Sequence, residues 1–189
     1  QDISFMLSHL RKIPVKPGDV FLVPGGFPHA IGAGVFMVEI MEPTDLAVRI
    51  EFERGGYVLP ESSRFINRDI DFALSMFEFK KLSKEDIKGK CFVVTREIER
   101  QNDSVLFSLI DTRYTRCFAV KKLEVNDFFK LSINSFYIAV VLSGKGNISA
   151  GTINFDAVAG DQFLVPFKTG EVTFSSSVGK MELLIASRQ

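Results

Sequence analysis

The sequence predicts an all-β fold with a few short helices, on three observations. Short runs rich in Val, Ile and Phe recur at roughly 8 to 12 residues with Gly, Pro, Asn or Asp between them, the pattern of a β-sandwich or barrel. Apolar residues at helical spacing occur in only two stretches. Finally, one seven-residue unit occurs twice. Gly18-Asp19-Val20-Phe21-Leu22-Val23-Pro24 returns as Gly160-Asp161-Gln162-Phe163-Leu164-Val165-Pro166, identical at six of seven positions and offset by 142 residues. Identity of that kind is hard to obtain without duplication, and we read two copies of one β unit.

Taken in order, a helix is expected over 3–10, with Ile3, Phe5, Met6, Leu7 and Leu10 as its apolar positions, Asp2 as cap and Pro14 beyond its end. Strands follow over 19–23, 35–41 and 46–53. The second helix is expected over 68–79, where Ile70, Ala73, Leu74 and Phe77 form a stripe, and Ser83-Lys84-Glu85-Asp86 starts a single further turn. The remaining strands are expected over 91–99, 104–111, 115–125, 128–133, 136–142, 147–149, 152–155, 161–165, 171–175 and 181–186. The boundary between the two copies is drawn so that they occupy 1–88 and 89–189.

The 189 residues are 46% hydrophobic and 24% charged, which suffices for a core and excludes a disordered or collagen-like chain. Lys plus Arg and Asp plus Glu both number 23, so no positive field draws the chain to nucleic acid or an anionic membrane, and neither is an expected partner. The longest apolar runs fall far short of a membrane span and the N-terminus lacks a signal pattern, so the expected location is cytoplasmic. Oligomeric state is not readable. Nineteen Phe with no Trp suggest a core filled by rings without polar atoms. Cys91 and Cys117, far apart and without ligand spacing, are expected to be buried or half-buried free thiols. Lys80-Lys81 and Lys121-Lys122 read as solvated charge. The chain opens on Gln1, which suggests processing, trimming or a longer parent protein.

The chemistry-bearing signal follows the first copy of the repeat. Gly18, five residues, then Pro24-Gly25-Gly26-Phe27-Pro28-His29 uses proline and glycines to turn the chain tightly after a strand and present an imidazole. In the second copy Pro166-Phe167-Lys168-Thr169-Gly170-Glu171 carries an acid, Glu171, at the histidine position. His9 lacks such a context. Glu39 shares a strand face with Val35, Met37 and Met41, and an acid on an apolar face needs a partner or a role. Arg49 alternates onto the polar face of 46–53 with Ala47, Glu51 and Glu53, where a plain surface ion pair is the simpler reading. No phosphate-cradling loop, Ser/His/Asp set or glycosidase carboxylate pair is present.

The order strand, glycine turn, strand, Gly-Asp turn, strand, Pro around the second copy resembles the cupin jelly roll, and the run from Gly18 to His29 fits the second cupin sequence motif. His29-Ala30-Ile31-Gly32, with Glu39 ten residues on and Arg49 ten after that, resembles the C-terminal half of type I mannose-6-phosphate isomerases. That resemblance covers most of the chain, strongly over 13–49 and weakly after 90. It implies two cupin copies. The first, 1–88, would be the C-terminal part of a metal-site cupin, incomplete at its N-terminus and with a helical connector. The second, 89–189, would be a degenerate, metal-free copy. It further implies zinc-dependent interconversion of mannose 6-phosphate and fructose 6-phosphate, with His29 as one ligand of one Zn²⁺ ion, Arg49 near the transferred proton and Glu39 orienting groups at the substrate. The family's other ligands, a Gln, a His and a Glu, are expected upstream of residue 1, in a longer enzyme. The run Val48-Arg49-Ile50-Glu51-Phe52-Glu53 departs from the Tyr and Asp usual after the arginine, which affects substrate preference. The alternative is a non-catalytic cupin module that binds carbohydrate or regulates a partner; a cupin dioxygenase, which needs several histidines, is disfavoured by the single suitable one.

Overall fold

The computed structural model describes residues 3–42, 44 and 46–189. The chain divides into two units, 1–92 and 93–189.

In the second unit ten strands form two antiparallel sheets, as the alternating pattern requires. They are β3 (Arg96–Gln101), β4 (Ser104–Ile110), β5 (Ala119–Val125), β6 (Phe128–Leu131), β7 (Tyr137–Ser143), β8 (Lys145–Ala150), β9 (Ile153–Val158), β10 (Gln162–Val165), β11 (Val172–Ser176) and β12 (Met181–Ser187). One sheet has the order β10-β7-β12-β5-β4-β3, the other β6-β11-β8-β9. One side of every strand but β3 supplies a single apolar cluster drawn from both sheets, including Leu123 and Val125 of β5, Phe129 of β6, Ala139 and Val141 of β7, Phe174 of β11, and Met181, Leu183 and Ile185 of β12. This is the two-layer arrangement of a sandwich or jelly roll. The core is mainly aliphatic: of the nineteen Phe only Phe129 and Phe174 are among the largest fully buried side chains, whereas Phe36 is 99% exposed and Phe155 and Phe167 are also outside. Phe therefore also populates surface positions, contrary to the expectation from composition.

Two close approaches hold the sheets in place. Gly146 of β8 runs so near β11 and β12 that a side-chain carbon would collide with the Ser175 carbonyl and press on Met181 Sδ. At the same end Ser104, fully buried at the start of β4, accepts the Asn126 N–H at 3.0 Å and so pins the β5–β6 turn.

On the outer face of the larger sheet, Glu182 of β12 lies directly opposite Glu124 of β5, a like-charge pair that would repel. Lys122 Nζ resolves it, 2.7 Å from Glu124 and 2.9 Å from Glu182, and Lys180 Nζ lies 2.8 Å from Glu182. Ser143 Oγ donates to the second Glu182 oxygen at 3.1 Å. Partial burial opposes ionisation of Glu182, but the two ammonium groups outweigh it and hold the carboxyl down at about 2. Lys121 and Lys122 are thus half-buried rather than freely solvated. The reason is the strand register, which sets their stems along the sheet.

The first unit is short of regular structure. It contains α1 (Ile3–His9), β1 (Glu53–Arg54), β2 (Tyr57–Val58), a 3₁₀ turn at Glu61–Ser63, α2 (Ile70–Ser75) and α3 (Lys84–Cys91). The expected cap Asp2 lies outside the described residues. The strands expected over 19–23, 35–41 and 46–53 do not form, apart from a bridge of Phe21 to Phe92 and Glu53, the first residue of β1. Extended backbone becomes a strand only when a neighbour supplies the hydrogen-bond ladder, and among the described residues none does so there. The short hairpin β1–β2 is explained by Gly55 and Gly56, both at positive φ (57° and 81°), as a two-residue turn of the I′ kind demands. Helix α2 starts at the Asp69 cap, whose carboxylate accepts the Phe72 N–H at 2.8 Å. It ends before the expected 79 because the Glu78 N–H donates to the Gly26 carbonyl instead, at 2.8 Å. A full capping box between Ser83 and Asp86 carries α3 through eight residues rather than one turn, so the expected strand at 91–99 begins only at Arg96. Cys91 is buried as expected, but Cys117 is exposed because it falls in the turn before β5.

The second unit yields three predictions. The Tyr137 hydroxyl is buried without a hydrogen-bond partner among the described residues, and burial pushes its pKa up to about 12. Tyr137→Phe removes an unsatisfied group and is expected to leave the thermal midpoint unchanged or raise it, whereas Phe174→Ala should cost about 3–5 kcal/mol in denaturant melts. Because Glu182 is held below its ordinary value of 4.5, its stabilisation is complete above that value and is lost as pH falls toward about 2. Thermal melts across that range should show a steeper decline for the wild type than for Glu182→Gln.

Candidate functional site

The loop carrying His29 is built from local hydrogen bonds that the sequence encodes directly. Gly18 takes φ 91°, a value open to glycine, and Asp19 closes the turn twice over. Its N–H donates to the Lys16 carbonyl at 3.1 Å and its carboxylate accepts the Lys16 N–H at 2.9 Å. The second copy builds the same turn: Gly160 has φ 98°, the Asp161 N–H donates to the Val158 carbonyl at 3.0 Å, and its carboxylate accepts the Val158 N–H at 2.9 Å. The prolines repeat as well. Phe27 N–H donates to the Pro24 carbonyl at 3.3 Å, and Thr169 N–H to the Pro166 carbonyl at 3.2 Å.

Between these turns the copies differ. In the second, 162–165 is the strand β10, paired with β7; in the first, Leu22 N–H donates to the Cys91 carbonyl at 2.8 Å at the end of α3.

Beyond Pro24 the loop is clamped. Gly26 sits at φ 75°, where a side-chain carbon would lie 2.8 Å from the Met76 carbonyl, so glycine is required on both counts. Its own carbonyl accepts the Glu78 N–H. Lys90 Nζ pairs with the Glu78 carboxylate at 2.8 Å and stands 5.5 Å from the centre of the Phe27 ring. The hydrogen bond and charge of Lys90 lower the Glu78 carboxyl below its usual range.

His29 itself is exposed, with Nδ1 2.9 Å from the Phe27 carbonyl. A carbonyl only accepts, so Nδ1 carries the proton in the neutral ring and Nε2 keeps its lone pair free. That is the posture of a metal-bound imidazole, whose other nitrogen donates to a backbone carbonyl or carboxylate. His9 makes a similar contact with the Phe5 carbonyl at 2.8 Å within α1, so posture alone does not single out His29; the motif around it does.

Glu39 and Arg49 are both exposed. Val35, Met37 and Met41 are also on the outside, so the apolar face on which Glu39 was expected to need a partner is not formed. Around Arg49 the alternation survives without a strand: Val48, Ile50 and Phe52 are half-buried while Ala47, Arg49, Glu51 and Glu53 are exposed. The Arg49 N–H donates to the Arg64 carbonyl at 3.3 Å. The more enclosed guanidinium nearby is that of Arg64, 4.5 Å from the Phe52 ring centre and donating to the Leu59 carbonyl at 3.1 Å. Sequence spacing did not indicate it, because its contacts come from the hairpin. Among the described residues no hydrogen bond or ion pair joins any two of His29, Glu39 and Arg49.

Nor do the described residues fit a zinc centre by themselves. No group of three or more His, Cys, Asp or Glu comes together, and zinc takes three or four protein ligands. Glu171, at the histidine position of the second copy, pairs with Lys130 at 3.1 Å.

Comparison with known proteins bears on the second unit first. Residues 111–186 match the family model of the mannose-6-phosphate isomerase cupin domain. Among curated proteins, the chain is 26% identical over 179 residues to the probable mannose-6-phosphate isomerase GmuF of Bacillus subtilis (strain 168), covering 94% of this chain and 51% of that protein. It is 28% identical over 168 residues to mannose-6-phosphate isomerase ManA of the same organism, covering 86% and 47%. The chain therefore spans about half the length of the curated relatives it matches. A solved mannose 6-phosphate isomerase from Bacillus subtilis aligns with 72% of this chain and 37% of its own, at 15% identity and a TM-score of 0.48. The family model lies on strands of the second unit and the curated relatives align along most of the chain, so the chain is similar to mannose-6-phosphate isomerases and its second unit to their cupin domain.

Proposed function

We propose that this chain is part of a cytoplasmic aldose–ketose isomerase that interconverts mannose 6-phosphate and fructose 6-phosphate. The observation that carries the reading is the His29 loop: a cupin motif intact from Gly18 onward, clamped at Gly26, with the imidazole turned to leave Nε2 free. The names of the curated relatives support the substrate class. In this reading residues 1–88 belong to the metal-bearing copy and 89–189 to the metal-free one.

The reaction needs a proton removed from C2 of the aldose, its electron pair forming the enediolate as the C1 carbonyl oxygen takes up negative charge; a proton then passes from the C2 hydroxyl to O1, and a proton is returned to C1 as the C2 carbonyl forms. The exposed guanidinium of Arg49 would stabilise that charge. Glu39 would hold a substrate hydroxyl as an acceptor. Zinc, the metal the resemblance implies, would act as a Lewis acid. His29 would be the one ligand contributed by these residues, and three more would have to come from outside them. A base for the C2 proton is not among the residues assigned.

A second reading rests on the absence of a metal-binding cluster among the described residues: a non-catalytic cupin module that binds a sugar phosphate. Zinc content and isomerase turnover, measured on the natural protein that contains this chain, separate the two. Under the isomerase reading His29→Ala abolishes stoichiometric zinc and lowers turnover by more than the roughly 10–100-fold typical of losing an outer-shell partner, while His9→Ala leaves both unchanged. Unchanged turnover in His29→Ala removes that residue from the mechanism. Sugar phosphate binding with no turnover in the wild type establishes the module.

A further inference from the structure

The segment 13–19 and helix α3 enclose a cleft of about 500 Å³ in the first unit, within the range of small-molecule sites. Three lysines line it, Lys16 from the segment and Lys84 and Lys88 from the helix, against a single acidic residue, Asp19. Its carboxylate is already engaged, accepting the Lys16 N–H in the Gly-Asp turn. Among the described residues none of the three lysines forms an ion pair; the neighbouring Lys90 takes Glu78. Of the acids on α3, Asp86 is held by the Ser83 N–H and hydroxyl, and Glu85 does not line the cleft.

Lys84 and Lys88 stand four residues apart on one helix face, where like charges repel, and Lys16 adds a third positive charge from a distant part of the sequence. An anion between them relieves that repulsion. The remaining wall is apolar, with Ile13, Val15 and Phe92, so a bare inorganic ion would leave most of the cleft unfilled. We propose that this cleft binds a small phosphate ester, its phosphate held by Lys16, Lys84 and Lys88 and its apolar portion lying on Ile13, Val15 and Phe92. His29, Glu39 and Arg49 do not line the cleft, and the proposal is independent of the isomerase reading.

The test is calorimetric titration of the chain with phenyl phosphate, with phenol and inorganic phosphate as the two halves of the probe. Saturable binding of phenyl phosphate, tighter than either half and weakened by salt, is expected. Lys84→Gln with Lys88→Gln, and separately Lys16→Gln, should each raise Kd about tenfold or more, a change of about 1.4 kcal/mol. The arginine counterparts at 84 and 88 should retain binding, and Lys80→Gln with Lys81→Gln should change nothing. Circular dichroism confirms that each variant is folded; if a glutamine variant is not, the paired arginine variant and the salt dependence decide. No saturable binding, equal binding of phenol, or indifference to the lysine substitutions overturns the proposal.

Discussion

Strand β12 is the constraint on which residues 93–189 depend. It is hydrogen-bonded along both edges, to β5 through Met181–Ser187 and to β7 through Glu182–Ser187 with an irregularity between Glu182 and Leu183, so it has no free edge over most of its length. Its inward residues Met181, Leu183 and Ile185 are fully buried. Remove that strand and β10-β7 is severed from β5-β4-β3, since the sheet order offers no other link. The outer face then follows. Doubly paired backbone puts Glu182 opposite Glu124 whether or not the charges suit, and Lys122 and Lys180 are the remedy.

The first unit shows the same rule by its converse. Turns whose hydrogen bonds close within four residues form there as they do in the second unit, as Gly18-Asp19 and Pro24-Phe27 demonstrate. Segments whose order depends on a neighbour do not become strands, and only Ala73 and Cys91 are buried apolar residues in that unit among those described. The difference lies in where the partner comes from, not in local preference: Val20–Val23 and 162–165 have nearly the same sequence, yet only the latter finds a β7.

This separation governs what could be read without the structure. The strands of the second unit were legible to within a few residues, because alternation and turn residues coincide with real pairing, as at β7, expected over 136–142 and formed by Tyr137–Ser143. The expected strands at 35–41 and 46–53 were not reliable, since periodicity reports which side of an extended chain is apolar, not whether anything lies beside it. At the site, the His29 loop was legible from its prolines and glycines. The clamp by Glu78 and Lys90, the enclosed Arg64 and the cleft shared by Lys16, Lys84 and Lys88 were not, because each depends on how the chain folds back on itself and not on a local sequence pattern.

Gly146 has a bearing on how the smaller sheet avoids error. Strands held only by backbone pairing can slip by two residues and still present the same faces, which would leave β8 hydrogen-bonded to β11 but with its ends mismatched. At Gly146 the chain passes too close to Ser175 and Met181 to admit a side-chain carbon. Slippage by two would bring Ile148 or Gly144 to that point, and in one of the two directions a branched side chain would have to occupy space that a methyl group already overfills. A single missing carbon thus acts as a ratchet on strand alignment, permitting one register and blocking its neighbour on one side.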